Sequence, residues 1–452
     1  MSQKKEAKTV ASLIEQRLER TKWFLEDRFG MFIHWGLYAI PARGEWVRSI
    51  EKISVEDYQV YFDQFDPQRY NPREWAKAAK DAGMKYAVLT AKHHDGFCLF
   101  DSQLTDYKST NTKAGRDLVR EFLEAFRAEG LKVGLYYSLI DWHHPDYPAY
   151  GDQIHPMREN EKYKRDPLHF DRYLTYMHGQ VRELLTNYGK LDMMWFDFSY
   201  GEMSGEKWQA TKLIEMMRSL QPHIVIDNRL EVNGERSSSV YSSNPQLYAG
   251  DFASPEQIIP PQGITDEAGN SIPWEACVTL NNNWGYVAAD ATYKSARTII
   301  RKLVECVSKN GNLLLNVGPD AQGEIPRPSL QILEEVGRWM QRNGESIYGC
   351  GQADLPKPDW GRYTRKGNTL YAHIFEESIG PINLSGLAGK VKQARTLADG
   401  AELFVSLPWN AKLYPNDAFI NFAKPESYSY PLPDSNDTVV ELILEDNAGR
   451  EQ

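Results

Sequence analysis

Cysteine is scarce: four in 452 residues, Cys98, Cys277, Cys306 and Cys350, widely scattered and without a C-x-x-C pair. That spacing excludes a disulfide framework and a zinc knuckle, and suits reduced thiols in a cytosolic protein. Long apolar runs are missing too. No stretch approaches the roughly 18–20 apolar residues a helix needs to cross a membrane. Positive charge is in deficit, 52 Lys and Arg against 62 Asp and Glu, for a net charge of −10. A nucleic-acid partner needs a basic face, so that class falls away. The opening stretch MSQKKEAKTVASLIEQ is charged and lacks the apolar core of a secretory signal, which makes a cytoplasmic location the expectation. No G-x-G-x-x-G follows the first apolar run and no G-x-x-x-x-G-K-[ST] occurs, so nucleotide-binding doubly wound folds lose ground.

What is present is a barrel-like rhythm. The length suits a unit of roughly 250–350 residues plus a smaller one. Short apolar runs recur at 29–36, 86–92, 132–138, 191–198, 223–229, 248–252, 274–280 and 311–319, with helical patterns between them. The stretch 71–83 reads as a helix with Asn71 as N-cap, Pro72 in the first turn and Gly83 as a left-handed stop. Residues 116–130 carry a stripe of Leu118, Phe122, Ala125 and Phe126 and end at Gly130. Ala296, Ile299, Ile300, Leu303, Val304 and Val307 follow helical spacing up to Asn310 and Gly311. Eight near-continuous apolar strands between helices predict an α/β fold, a (β/α)8 barrel over 1–345. Past it, residues 360–375 read as a hairpin turning at Lys366, Gly367 and Asn368. Further strands at 401–407 and 437–446 predict an all-β sandwich over 346–452.

Barrel strands end at the functional face, so polar residues at strand C-termini are the informative ones. They are His34, Trp35, His93, His94, Asp95, Tyr136, Tyr137, Ser138, Trp195, Asp197, Asp227, Arg229, Asp251, Glu256, Glu275 and Asn316. Burying so many polar groups at one rim costs stability unless they are paired or wet, which points to a polar, ring-faced ligand. With 12 Trp and 25 Tyr in the chain, rings could stack on sugar faces or simply fill the core. Asp197, in MMWFDF, is a carboxylate among apolar neighbours at a strand end; it either does chemistry or caps the next helix. Cleaving a glycosidic bond takes two carboxylates, and the partner candidates are Glu256 in DFASPEQ and Glu275 in PWEACVTL. The adjacent His93 and His94 could bind a metal, play a structural part or hold sugar hydroxyls. Neighbouring strand residues point to opposite faces, and no third ligand has metal spacing, so no metal is expected.

The segments FGMFIHWG, GEWV, AKHHDGFCLF, VGLYYSLIDW, WFDFSYGE and KNGNLLLNVGPDAQGEIP resemble, in order and context, those of the α-L-fucosidases of glycoside hydrolase family 29. The resemblance implies a retaining exo-α-L-fucosidase without cofactor or metal, acting on a fucosylated small oligosaccharide or glycoside, with transfucosylation as a side reaction. It implies Asp197 as nucleophile and Glu256 as acid/base, with Glu275 the second choice. His34, His93, His94 and Tyr136 (Tyr137 as the off-by-one alternative) match residues that hold fucose hydroxyls. Glu45, Trp46, Trp195 and Arg229 match residues around the sugar and the nucleophile. Phe32 and Trp284 match an aromatic wall for the C6 methyl. Another retaining glycosidase, acting for example on a galactoside, and a non-catalytic sugar-binding protein are the rival readings. The long loops at 143–168 and 253–272 also leave room for a homo-oligomer contact.

Overall fold

A computed structural model of the protein describes residues 2–232, 237–405, 411–422 and 431–445. Helix α1 (Ser2–Asp27) leads into β1 (Phe29–Ile33), and α2 (Val47–Ile50), α3 (Val55–Gln64) and α4 (Pro72–Asp81) precede β2 (Tyr86–Lys92). Next come α5 (Leu118–Ala128), β3 (Lys132–Ser138), α6 (Phe170–Asn187), β4 (Met193–Asp197), α7 (Ala210–Leu220) and β5 (Val225–Ile226). The barrel part ends with β6 (Trp274–Thr279), α8 (Ala296–Val307), β7 (Gly311–Val317) and α9 (Arg327–Asn343). The helix signals act locally. Asn71 Oδ1 accepts from Arg73 N ahead of α4, Asp117 Oδ1 from Arg120 N ahead of α5, and Ser295 Oγ from Thr298 N ahead of α8. Gly83 takes the left-handed φ of +85° that ends α4.

Seven strands form one parallel sheet in the order β5-β4-β3-β2-β1-β7-β6. The expected eighth strand at 248–252 is absent as a strand. Residues 251–257 occupy its place through isolated parallel bridges, Asp227 to Phe252 on one side and Ala253 to Trp274 and Glu256 to Cys277 on the other. Pro255 has no N–H to donate, so a regular ladder is interrupted there, yet Pro255 O still accepts from Cys277 N (3.1 Å). The ring of strands is therefore closed by the segment that carries Glu256. Among the described residues, no α-helix lies between β5 and this segment, or between it and β6. The strand expected at 223–229 shrinks to two residues because carboxylates replace backbone acceptors around it. Asp227 Oδ1 takes Phe196 N (3.0 Å) and Asp251 Oδ2 takes Ile226 N (3.0 Å).

Helix α1 seals the N-terminal mouth. Phe24 packs on Phe252 (ring centroids 4.9 Å) and Tyr86, and Arg20 and Arg218 both pair with the buried Asp251 (2.7 Å each). Tyr86 crosses the barrel interior only because Gly30 opposes it: a Cβ there would lie 2.4 Å from the tyrosine ring.

The C-terminal part is a two-sheet β unit. Strands β8 (Gly361–Lys366), β9 (Thr369–Ile374), β10 (Ile382–Leu384), β11 (Val391–Thr396), β12 (Phe404–Val405), β13 (Ala418–Asn421) and β14 (Thr438–Leu444) form sheets β11-β14-β9-β8 and β10-β13-β12. The β8–β9 hairpin pairs Lys366 with Thr369 across the expected Gly367 and Asn368. Of the strand expected at 401–407, residues 406–407 lie outside the described residues, as does residue 446 of the last one. Alternation in β14 sends Val440, Leu442 and Leu444 into the sandwich core and Val439 into the core shared with the barrel. A fully buried joint, Thr364–His373–Asp437 with Trp339 Nε1 donating to Asp437 O (3.0 Å), ties α9 to this unit.

Candidate active site

At the C-terminal mouth of the barrel lies a cavity of about 130 Å³ lined by Phe32, His34, Glu45, Trp46, His93, His94, Tyr136, Trp195, Asp197, Phe198, Arg229, Glu256, Cys277 and Trp284. The side chains come from β1, β3, β4 and β6 and from the turns that follow the strands. This is where parallel strands expose the ends of their ladders.

Asp197 ends β4 and is held from two sides. Tyr136 Oη donates to its Oδ2 (2.8 Å) and Arg229 Nη1 to its Oδ1 (3.0 Å). Burial pushes its pKa up, Arg229 pulls it back, and the nearby Glu256 charge adds to the rise. The same Arg229 Nη1 donates to Glu256 Oε2 (2.9 Å). Two oxygens on one nitrogen at these distances are at most about 6 Å apart. Retaining carboxylate pairs sit about 5–5.5 Å apart and inverting pairs about 6.5–9.5 Å. Arg229 is fixed in turn by Ser254 Oγ (3.0 Å) and Ser254 O (3.1 Å), and its guanidinium lies 4.7 Å over the Trp195 ring. Burial opposes its charge, but Asp197 and Glu256 raise its pKa above the ordinary arginine value.

Burial disfavours charge on all three histidines. Burial lowers His34 to about 3 and holds His93 and His94 well below the usual histidine value. Asn316 Nδ2 donates to Trp284 O (2.8 Å), so Asn316 Oδ1 accepts from His34 Nδ1 (2.7 Å). Ser138 gives its proton to Ile140 O (2.9 Å), so its oxygen accepts from His94 Nδ1 (2.7 Å). The network thereby assigns both rings a bare Nε2, and that of His94 lies 3.9 Å from Asp197 Oδ2. His93 Nδ1 is buried without a partner among the described residues. His93 and His94 do not point to opposite faces as the strand argument expected. Strand β2 stops at Lys92, the pleat ends there, and both rings line the cavity 4.1 Å apart. Among the described residues, no group of three or more His, Cys, Asp and Glu side chains is arranged to hold a metal ion.

Glu45 is buried at the rim and accepts from Gly285 N (2.8 Å); burial raises its pKa against that bond. Trp46 meets His94 edge-on (5.1 Å), and Phe32 and Trp284 meet at 6.0 Å beside His34.

Several expected residues lie elsewhere. Glu275 is fully buried below the cavity, accepting from Tyr86 Oη and from Trp195 Nε1 (3.4 Å). Burial takes its pKa up to about 8 despite those two donors. Tyr137 faces outward to Gln180 (2.8 Å), Trp35 packs against Tyr70 and Trp75, and Asp95 accepts from Tyr58 (3.1 Å). Asp251 belongs to the N-terminal seal. Ser138 and Asn316 stand behind the histidines. Two lining residues escaped the sequence reading, Phe198 and Cys277. Phe198 takes φ +81°, a strain of order 1–3 kcal/mol that turns its ring onto Trp46 (5.2 Å) and His94 (4.9 Å). No periodic signal foretells that turn. Cys277 is two residues past Glu275 on β6, so the period of two could have placed it on the inner face.

Comparison with known proteins agrees with this architecture. The family model described as alpha-L-fucosidase matches residues 1–345. An alpha-L-fucosidase of Dictyostelium discoideum is 30% identical over 405 residues, covering 83% of this chain and 82% of that protein. The tissue alpha-L-fucosidase of Homo sapiens is 30% identical over 429 residues, 85% of this chain and 84% of that one. Among solved structures, alpha-L-fucosidase isoenzyme 1 from Paenibacillus thiaminolyticus is 64% identical with a TM-score of 0.92, covering 95% of this chain and 100% of that one. A GH29 alpha-L-fucosidase from Bacteroides thetaiotaomicron, trapped as a covalent intermediate with 2-fluoro-fucosyl fluoride, is 30% identical with a TM-score of 0.81 over 94% and 96% of the two chains. By fold, by the cavity at the strand ends and by these matches, the chain belongs to the alpha-L-fucosidases of glycoside hydrolase family 29.

Proposed function

We propose that this protein removes terminal α-L-fucosyl residues from small oligosaccharides or glycosides, with retention, through Asp197 and Glu256. The observation that carries the reading is the shared Arg229 nitrogen, which keeps one oxygen of each carboxylate no more than about 6 Å from the other, below the roughly 6.5–9.5 Å of inverting pairs. Asp197, aligned by Tyr136 and Arg229, attacks the anomeric carbon. Protonated Glu256, on the more exposed side of the pair, gives its proton to the departing oxygen. Glu256 then takes a proton from water, whose oxygen displaces Asp197 from the fucosyl ester and restores both groups. A sugar hydroxyl in place of that water gives transfucosylation.

The small cavity supports exo action on one terminal ring. The bare Nε2 atoms of His34 and His94, the free Nδ1 of His93 and the carboxyl of Glu45 supply acceptors and donors for the sugar hydroxyls. Phe32 and Trp284 offer an apolar face to the C6 methyl. The barrel over 1–345 carries the site and the β unit over 346–452 braces it, a division supported by the β unit's own hydrophobic cluster, while Tyr371 and Val439 join it to the barrel core. A cytoplasmic site of action rests on four free, buried cysteines.

The test is hydrolysis of an aryl α-L-fucoside by the wild type, Asp197→Ala and Glu256→Ala, each with and without azide. Asp197→Ala should be inactive and partly rescued as the inverted β-fucosyl azide. Glu256→Ala should yield the retained α-azide. Azide products of the opposite configuration would reverse the two roles, and an active Asp197→Ala would move the nucleophile elsewhere.

A further inference from the structure

Glu256 has little side-chain support of its own. Its side chain is 43% exposed, and Arg229 is its hydrogen-bonded partner among the described residues. The backbone around it is tied down closely. Upstream, Pro255 O accepts from Cys277 N (3.1 Å), and downstream Gln257 N donates to Cys277 O (2.9 Å), so β6 grips the chain on both sides of Glu256. Gln257 itself has φ +54°, a left-handed conformation that side-chain-bearing residues seldom adopt without a local reason. That reason is at hand: its amide clamps β6 two residues further on, at Thr279. Gln257 Nε2 donates to Thr279 Oγ1 (3.0 Å) and Gln257 Oε1 accepts from Thr279 N (3.3 Å). Thr279 is itself held, its hydroxyl donating to Asn281 O (2.5 Å) and its carbonyl accepting from Lys294 Nζ (2.6 Å).

We propose that Gln257 is a positioning residue for proton transfer: its two-point clamp on Thr279 holds the left-handed turn that aims the Glu256 carboxyl over Asp197. The clamp acts through Glu256 and touches no substrate. Without it the turn relaxes toward negative φ, and a side chain tethered by one arginine swings off the line to the leaving oxygen. The inference rests on Glu256 being the acid/base.

The experiment compares kcat/KM on two substrates, phenyl α-L-fucoside, whose leaving oxygen needs a proton, and 2,4-dinitrophenyl α-L-fucoside, whose leaving group does not. General acid catalysis is worth about 10²–10⁴-fold, and Gln257→Ala is expected to forfeit at least about tenfold of it on the phenyl substrate while losing under about twofold on the dinitrophenyl one. Thr279→Val removes the hydroxyl end of the clamp and should show the same selective loss at smaller size, which also serves if Gln257→Ala folds poorly. Equal losses on both substrates, or no loss on the phenyl substrate in folded variants, would overturn the positioning role. Glu256→Ala run alongside separates the two ideas. If it shows the leaving-group-dependent loss and the clamp variants do not, only this inference falls; if it shows none, the acid/base reading falls and takes the clamp with it.

Discussion

Replacing Arg229 by Gln removes one positive charge and keeps a planar amide at a similar place. The guanidinium nitrogen is 3.0 Å from Asp197 Oδ1, inside a buried site. With charge centres about 4 Å apart and an effective dielectric near 20, the lost attraction is about 4 kcal/mol, equivalent to about 3 pKa units as an upper bound. Carboxylates beside an arginine are typically shifted by about 1–3 units, which brackets the expectation. The sign follows from the chemistry. Burial already raises Asp197, and the arginine opposes that rise, so its loss favours the neutral, non-nucleophilic carboxylic acid. On 2,4-dinitrophenyl α-L-fucoside the leaving group needs no proton, so the acidic limb of kcat/KM against pH reports ionisation of the nucleophile. That limb should move upward by about 1–3 pH units in Arg229→Gln, with activity recovering toward alkaline pH. A limb within about 0.3 units of the wild type would refute the claim that Arg229 keeps Asp197 ionised, whatever the absolute rate.

Two further outcomes concern stability. The Glu275 carboxyl, with its pKa raised from 4.5 to about 8, holds its proton in the folded state and loses it in the unfolded one across that window. The native state is therefore penalised as pH rises from about 4.5 to 8, by about 1.4 kcal/mol per pH unit at most. Glu275→Gln should remove that slope, and urea unfolding at pH 5, 6, 7 and 8 should show the variant gaining on the wild type; parallel curves would contradict it. Lys92 and Asp141 form a fully buried ion pair (3.1 Å) just behind the two histidines; burial alone would raise the aspartate, but Lys92 and neighbouring donors bring it to about 2. Lys92→Met leaves that charge unpaired and should cost about 3–5 kcal/mol in urea unfolding, with a loss below about 1 kcal/mol counting against the pair.

The legible parts of this fold are those whose causes lie within a few residues. Asn71, Asp117 and Ser295 each satisfy a backbone N–H two or three positions on, and the stripe from Ala296 to Val307 sets a helix without reference to the rest of the chain. The same holds for the β8–β9 hairpin, whose turn is local chemistry. At the site, strand-end position and the family's motifs together picked out twenty residues, of which twelve line one cavity. Glu275, named second for the acid/base, points inward one layer below Cys277, into the floor, and Tyr137 points away because one step along a strand reverses the face.

Sequence alone thus determined the alternation of strands and helices, the barrel and sandwich classes and the set of polar residues at strand ends, since periodicity and capping are short-range. Tertiary structure alone decided how the barrel closes, through isolated bridges of 251–257 rather than a strand. It alone decided that Phe198 turns into the cavity and that one arginine nitrogen joins Asp197 to Glu256. The physical reason is distance along the chain: 32 residues separate Arg229 from Asp197 and 27 separate it from Glu256. No local pattern encodes a meeting of side chains that depends on the closed ring of strands beneath them.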